Sequence, residues 1–262
     1  MSLQAQNYAD DSRHTLGTMF RYQYIINRSK SPIDTSFTVS KLGENYIHTH
    51  EKLSISKIID YRGAAVAYCI GIAVDEKGIC LSNEYRLEFE RTDVNYWNKI
   101  ENFVIGLAGR FLIISHNMGS TRIYGDLSNS MSCVYDPESG NISSSILLCL
   151  DREIKVNPIM PPEWAVDGKQ RYCFGNTNDK IVKRLSANYY LDVSGLIERR
   201  FWPKGESYSD IPSEEIDSTI SMISHRLSSI VGAITDNYRT SFPLTGGGRF
   251  TNTGSLLPSA YE

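Results

Sequence analysis

Three glycines after a threonine, Thr245-Gly-Gly-Gly248, have the make-up of a phosphate-binding loop, and an apolar stretch, Ser241-Phe-Pro-Leu244, leads into them. Glycines let backbone N–H groups approach an anion closely, and a helix starting just after them adds unpaired donors and a favourable dipole. Here the following Thr251-Asn-Thr-Gly-Ser-Leu-Leu-Pro258 makes a poor helix, because Gly254 and Pro258 interrupt it. Without that helix, a bare glycine run reads as a flexible tail. A second candidate is His48-Thr-His50 with Glu51: strand alternation puts both imidazoles on one face, where a metal could sit. No third ligand follows at metal-site spacing, so the pair reads as a solvated loop and no metal site is expected. Asp192 and Glu198 flank a turn but have no feature that makes them an acid–base pair. The basic groups Lys180-Ile-Val-Lys-Arg184 and Glu198-Arg-Arg200 read as solvated faces, and Trp97, Trp164 and Trp202 as core or boundary residues. Asp126 ends a strand, where a site and a simple turn are both open readings.

The elements that must position these residues are clearest in the middle of the chain. A helix is expected from Asp93 as its cap, with Val94, Trp97, Ile100, Val104 and Leu107 on the apolar face and Gly109 just past the end. Residues 107–115 then enter an apolar strand, 121–126 form a second and 131–135 a third, closed by the turn Asp136-Pro-Glu-Ser-Gly-Asn141. This pattern predicts an antiparallel meander at the centre of a sheet. Residues 146–150 form an apolar run too short to type by periodicity. Before the meander, residues 1–19 read as an irregular lead-in, 20–26 as a first edge strand, 37–39 as a short strand, and 64–74 with 79–81 as a hairpin. After it, the prolines of 158–162 mark a boundary. Residues 187–193 and 196–203 form a second hairpin about Ser194-Gly195. Ile211-Pro-Ser-Glu-Glu215 opens a helix whose stripe is Ile216, Ile220, Ile223, Leu227, Ile230 and Ile234, the clearest amphipathic helix in the chain.

Composition narrows the classes. A chain of 262 residues can bury a substantial core. A net charge of -3 leaves no electrostatic footprint for nucleic acid or an anionic membrane. No apolar run approaches the roughly 20 residues of a membrane span, and the polar, acidic start is not a secretory signal. Five scattered cysteines, never in a Cys-x-x-Cys pair, fit buried reduced thiols in a cytoplasmic protein.

The order Gly109-Arg-Phe111, an apolar strand, Tyr124-Gly-Asp126, Val134-Tyr135 and Ser143-Ser-Ser145 resembles the glutamine-amidotransferase half of asparagine synthetase-like proteins. The strands Asn188-Tyr-Tyr-Leu-Asp192 and Arg200-Phe-Trp-Pro203 resemble the pair that links that family's two halves. Thr245, Gly246, Gly247 and Gly248 resemble the start of its pyrophosphatase loop. The resemblance implies an α+β fold: an antiparallel two-sheet sandwich flanked by helices, N-terminal-nucleophile-like, followed by a helix and the first strand of an incomplete α/β nucleotide-binding domain. It divides the chain into a degenerate amidotransferase-like domain (1–160), a linker hairpin region completing the sandwich (161–205) and the start of a synthase domain (206–262).

The departures from the family matter as much. Arg249-Phe250 stand where Asp-Ser belong. If Arg249 is encoded AGA or CGA, reading one base later restores Asp, Ser and a codon that can be Arg. We therefore expect a frameshifted, truncated member; a split gene or a sequence error gives the same pattern. The family's nucleophilic Cys after Met is replaced by Ser2, in a polar stretch rather than on an apolar strand. The acid that holds the substrate's amine aligns with Ala108. The resemblance thus implies ATP-dependent amide formation in the parent, with ATP and magnesium, while this chain is expected to have no catalytic residue and no cofactor of its own. Its nucleotide-binding remnant is Thr245, Gly246, Gly247 and Gly248. The alternative is a non-catalytic binding module that pairs with a separately encoded synthetase domain, or with a second copy, and with neither nucleic acid nor membrane.

Overall fold

A computed structural model describes residues 2–160, 175–205 and 209–240. Two sheets face each other. The first is six-stranded: β1 (Tyr24–Asn27), β2 (Phe37–Leu42), β3 (Asn45–His50), β9 (Val134–Tyr135), β10 (Ile142–Ser143) and β11 (Lys183–Arg184), in the order β11-β9-β10-β1-β3-β2. The second is seven-stranded: β4 (Ile55–Ile59), β5 (Ala65–Val74), β6 (Glu84–Arg86), β7 (Ala108–Asn117), β8 (Ser120–Gly125), β12 (Tyr189–Asp192) and β13 (Ile197–Arg200), in the order β13-β12-β8-β7-β5-β4-β6. All pairings are antiparallel except β4 with β6. The helices are α1 (Leu3–Asp11), α2 (Leu16–Met19), α3 (Tyr96–Gly106), α4 (Ile146–Cys149) and α5 (Ile216–Asn237).

Period-two alternation assigns each side chain to a layer. On β1, Tyr24 and Ile26 face inward, and with Ile47 they meet Leu112, Ile114 and Ile123 of the other sheet. Ile25 faces outward onto Ala5, Ala9, Leu16 and Leu148 from the helices on that side. On β7, Leu112 and Ile114 face the inner core, whereas Phe111 and Ile113 face Tyr96, Ile100 and Val104 of α3. The fold is therefore an α+β sandwich, with helices packed on the outer face of each sheet.

Packing, not capping, holds α3. Asp93 does not cap it: its Oδ2 accepts from the Glu90 N–H (3.1 Å) and from Lys99 Nζ (2.7 Å), and Asn95 at the N-cap makes no side-chain cap bond. A missing cap forgoes about 1 kcal/mol, while each large apolar side chain buried stabilises by about 1.5–3 kcal/mol. Ile100 and Val104 are fully buried, so the apolar stripe wins; Val94, expected on that face, is wholly exposed. Trp97 packs against this core and carries the Arg122 guanidinium 4.1 Å from its ring centroid.

Several expected elements fall differently. The first strand is not an edge: β1 lies between β10 and β3, with Ile25 opposite Ser143 on one side and His48 on the other. Residues 1–19, expected to be irregular, hold α1 and α2, capped by Ser2 and Thr15. β7 and β8 form a hairpin through Met118 and Gly119, both at positive φ (47° and 80°), as the strand twist favours. The meander stops there, because β9 belongs to the other sheet and β8 takes β12 as its second partner. The cause is Asp126, whose carboxylate accepts from the N–H groups of Ser128, Ser130 and Met131 and from both serine hydroxyls, turning the chain across. The hairpin after β5 closes its turn on Asp75 but returns only through a Val74–Cys80 bridge.

The hairpin β12–β13 forms with Tyr189 opposite Arg200. α5 forms as a helix, yet the stripe Ile216, Ile220, Ile223 and Leu227 is 44–56% exposed. It docks instead through Arg226 at its middle, which donates to the carbonyls of Asp75 and Gly106, and through the buried Ala233 further on. Among the described residues no helix is long and apolar enough to cross a membrane.

Candidate functional site

The turns of β2–β3, β7–β8, β9–β10 and β12–β13 gather with the segment after β1 at one end of the sandwich, and Arg28 stands among them. β1 ends at Asn27, and His48 on β3 anchors the residues just beyond it. His48 is fully buried; its Nε2–H donates to the Ser29 carbonyl (2.9 Å) and lies 3.2 Å from Asn27 Oδ1, which also accepts from the Ser29 N–H (2.9 Å). Both neighbours of Nε2 are acceptors, which assigns the proton to that nitrogen. Burial pushes the His48 pKa below 6.5, the Ser29 bond opposing it, so the ring is neutral and its buried Nδ1 has no partner.

His48 and His50 are thus buried strand residues, not a solvated loop. They do separate work: His50 Nδ1 accepts from the Lys52 N–H (3.1 Å) and its ring meets Phe37 edge-on. Among the described residues no group of three His, Cys, Asp or Glu side chains could hold a metal ion.

A cleft of about 270 Å³ opens between the segment after β1 and the outer helices. Asn27, Arg28, Asn141 and Asp151 line it, with Ile33 and Leu148 as apolar surface. Across Arg28 a second cleft of about 410 Å³ shares Asn27 and Asn141 and runs to the β12–β13 turn. A pocket of about 40 Å³ continues past Arg28 to Glu44, Asn45, His116 and Thr121. Among the described residues, neither Arg28 nor Asp151 makes a side-chain hydrogen bond or ion pair. The first cleft draws on Ser2, Ile25, positions 27–33 and positions 141–151, which only the β1–β10 pairing and the contact of Ser2 with the α4 end bring together.

Of the residues singled out in the sequence, Ser2 lines the cleft of about 270 Å³, and it and the other described ones are explained locally. Ser2 Oγ accepts from the Ala5 N–H (3.2 Å), and its hydroxyl faces the carbonyls of Leu147 and Leu150 (2.6 Å to the latter). It is buried, caps α1 and ties that helix to α4, with no base among its partners. Ala108 opens β7 opposite Val74. Asp126 is a turn former: burial pushes its pKa up, but its hydrogen bonds outweigh that and the net shift is downward. Asp192 accepts from the Ser194 N–H and hydroxyl, whereas Glu198 accepts from the Tyr135 hydroxyl (3.0 Å) and the Ser186 N–H (3.1 Å). The two carboxylates do not meet. Cys69, Cys80, Cys133 and Cys149 are free and buried, and burial pushes the Cys133 thiol up to about 12, so it stays protonated. Thr245, Gly246, Gly247 and Gly248 lie outside the described residues, as does Trp164.

No protein-family model matches the chain, and no curated protein matches it.

Proposed function

We propose that the chain is a cytoplasmic asparagine synthetase-like protein whose amidotransferase-type domain has lost glutamine hydrolysis and acts as a non-catalytic scaffold. Two facing sheets with helices outside them support an N-terminal-nucleophile-like reading, with Gly109-Arg-Phe111 at the start of β7 and Tyr124-Gly-Asp126 at the end of β8. The observation that carries the loss of chemistry is Ser2. Attack on an amide needs a free hydroxyl and a base, and here the hydroxyl is committed to a helix cap between backbone carbonyls. Ala108 supplies no charge for an amine. The family's ATP and magnesium belong with Thr245, Gly246, Gly247 and Gly248, and the proposal assigns no step to them. Ammonia release from L-glutamine by the purified chain tests it: none above background is expected. A turnover that disappears in Ser2→Ala overturns the reading.

A second reading, a binding module for a separately encoded synthetase domain, is favoured by α5. Ile216, Ile220, Ile223 and Leu227 stand half-exposed along one side of a helix that docks by another. Apolar side chains arranged in a stripe mark an interaction face. Co-purification with that domain, lost in Ile220→Lys, supports it; a stable complex that survives Ile220→Lys and Ile223→Lys together removes it, and a homodimer on light scattering reassigns the face to a second copy.

A further inference from the structure

The turns of β9–β10 and β12–β13 border the cleft of about 410 Å³. It does not rest on the scaffold reading, because neither Ser2 nor Ala108 lines it. Among the described residues its one uncompensated charge is Arg28, whose side chain has no hydrogen bond or ion pair. The acid on its wall, Glu138, is already engaged by Arg152 Nε (3.1 Å) and Lys155 Nζ (3.0 Å). Glu44, which is unpaired, lines the pocket of about 40 Å³ beyond Arg28 and not this cleft. Three asparagines set the hydrogen bonding. Asn27 Oδ1 accepts from the Ser29 N–H (2.9 Å), which leaves its NH₂ to donate. Asn45 Nδ2 donates to Thr121 Oγ1 (3.2 Å) and Asn141 Nδ2 to the Cys149 carbonyl (3.0 Å), so each leaves its Oδ1 to accept.

Each feature removes a class of ligand. An ammonium group finds no free carboxylate here. A nucleobase finds nothing to stack on, since no aromatic side chain lines the cleft among the described residues. A bare inorganic anion would use Arg28 but leave two acceptors and the apolar Val193 and Leu196 idle. A molecule with one anionic group, several hydroxyls and an apolar C–H face uses all of them. We infer that the cleft binds an anionic monosaccharide, a sugar phosphate or a sugar carboxylate. Its anionic group sits on Arg28 and the Asn27 NH₂, its hydroxyls donate to Asn45 and Asn141, and its ring lies over Val193 and Leu196. The volume of about 410 Å³ falls within the roughly 300–1,000 Å³ of small-molecule sites. His48 is the positioning residue, because its Nε2 holds the Asn27–Ser29 segment that carries Arg28.

Calorimetric titration of the full chain tests the proposal, with the 6-phosphates of glucose, mannose, galactose, fructose and N-acetylglucosamine in one arm and glucuronate and galacturonate in the other. At least one should bind, and the arm it comes from identifies the anionic group. The matching neutral sugar and inorganic phosphate should each bind about tenfold or more weakly. Arg28→Ala should weaken the anionic sugar by about the same factor and leave the neutral sugar unaffected. Asp151→Ala, which alters only the neighbouring cleft, should leave both affinities unchanged. Both side chains are exposed, so the variants should melt as the parent does. No binding by any of the anionic sugars up to roughly 10 mM overturns the proposal. So does an affinity unchanged in Arg28→Ala, one lost in Asp151→Ala, or binding of inorganic phosphate as tight as that of the best sugar.

Discussion

Arg152 and Asp179 meet in a two-point fork, Nη1 to Oδ2 at 2.8 Å and Nη2 to Oδ1 at 3.0 Å, around a carboxylate that is fully buried. The same carboxylate accepts from the N–H groups of Lys155, Ile181 and Val182. The fork thereby fastens the chain leaving α4 to the chain entering β11.

Asp179 should be a large contributor to acid sensitivity. Burial raises its pKa, but Arg152 and the three N–H donors outweigh it and hold the group at about 2, below the ordinary 3.8. A folded-state value below the unfolded one gives stability that is complete above the unfolded value and is lost as the pH falls through the folded one. Asp179→Asn should lower stability at neutral pH by about 3 kcal/mol, since it leaves Arg152 without its buried partner. Urea unfolding at neutral pH and in acid checks this; equal midpoints for variant and parent would refute it.

Gly109 and Gly71 mark where β5 and β7 approach too closely for a side chain. A Cβ at Gly109, where φ is +136°, would lie 2.2 Å from the Ile72 carbonyl oxygen, and one at Gly71 2.3 Å from that of Arg110. Gly109→Ala should cost about 3 kcal/mol from combined strain and clash. Gly140, at φ +78° with open space around it, supplies the control: Gly140→Ala should cost about 1–2 kcal/mol. Similar losses at both positions would count against the close approach.

His48 should titrate below 6.5, because burial disfavours its charged form. Its contribution to stability is complete above 6.5 and lost as the pH falls below that toward the folded-state value. Ring-proton NMR across this range gives the midpoint directly, and a midpoint at or above 6.5 would contradict the buried, neutral ring. In His48→Ala the segment after β1 should loosen, seen as faster exchange of the Ser29 amide.

Ile220→Lys and Ile223→Lys should leave the fold's stability within about 0.5 kcal/mol, as exposed positions do. Ala233→Lys, on the docked side and 8% exposed, should cost about 2 kcal/mol or more. Thermal unfolding of the three variants separates the two sides of α5; a large loss at Ile220 would mean that the stripe is packed after all.

What the sequence shows of this fold depends on whether its signals are local. The β7–β8 hairpin, α3 and the β12–β13 hairpin are legible because turn residues and apolar periodicity sit next to one another. α1 is not, since its buried face consists of Ala5 and Ala9, too small to stand out from polar neighbours. β3 escapes notice for the opposite reason: almost every residue of Asn45–His50 is buried, so nothing alternates. β6 pairs with β4 in parallel across an intervening strand, and no local pattern announces that. The Arg28 cleft is the extreme case. Arg28, Asn141 and Asp151 are unremarked polar residues until β1 and β10 lie side by side.

The interior place of β1 also sets an order on synthesis. Its Tyr24 N–H donates to Ser144 Oγ, 120 positions further on. At about 5–20 residues per second, β10 follows β1 from the ribosome after roughly 6–24 s. Through that interval the first strand is bordered by β3 alone, and its other edge stands open to any strand that reaches it first. The nascent chain is therefore exposed to mispairing at its beginning, and that hazard ends only when the Ser143–Ser145 segment arrives.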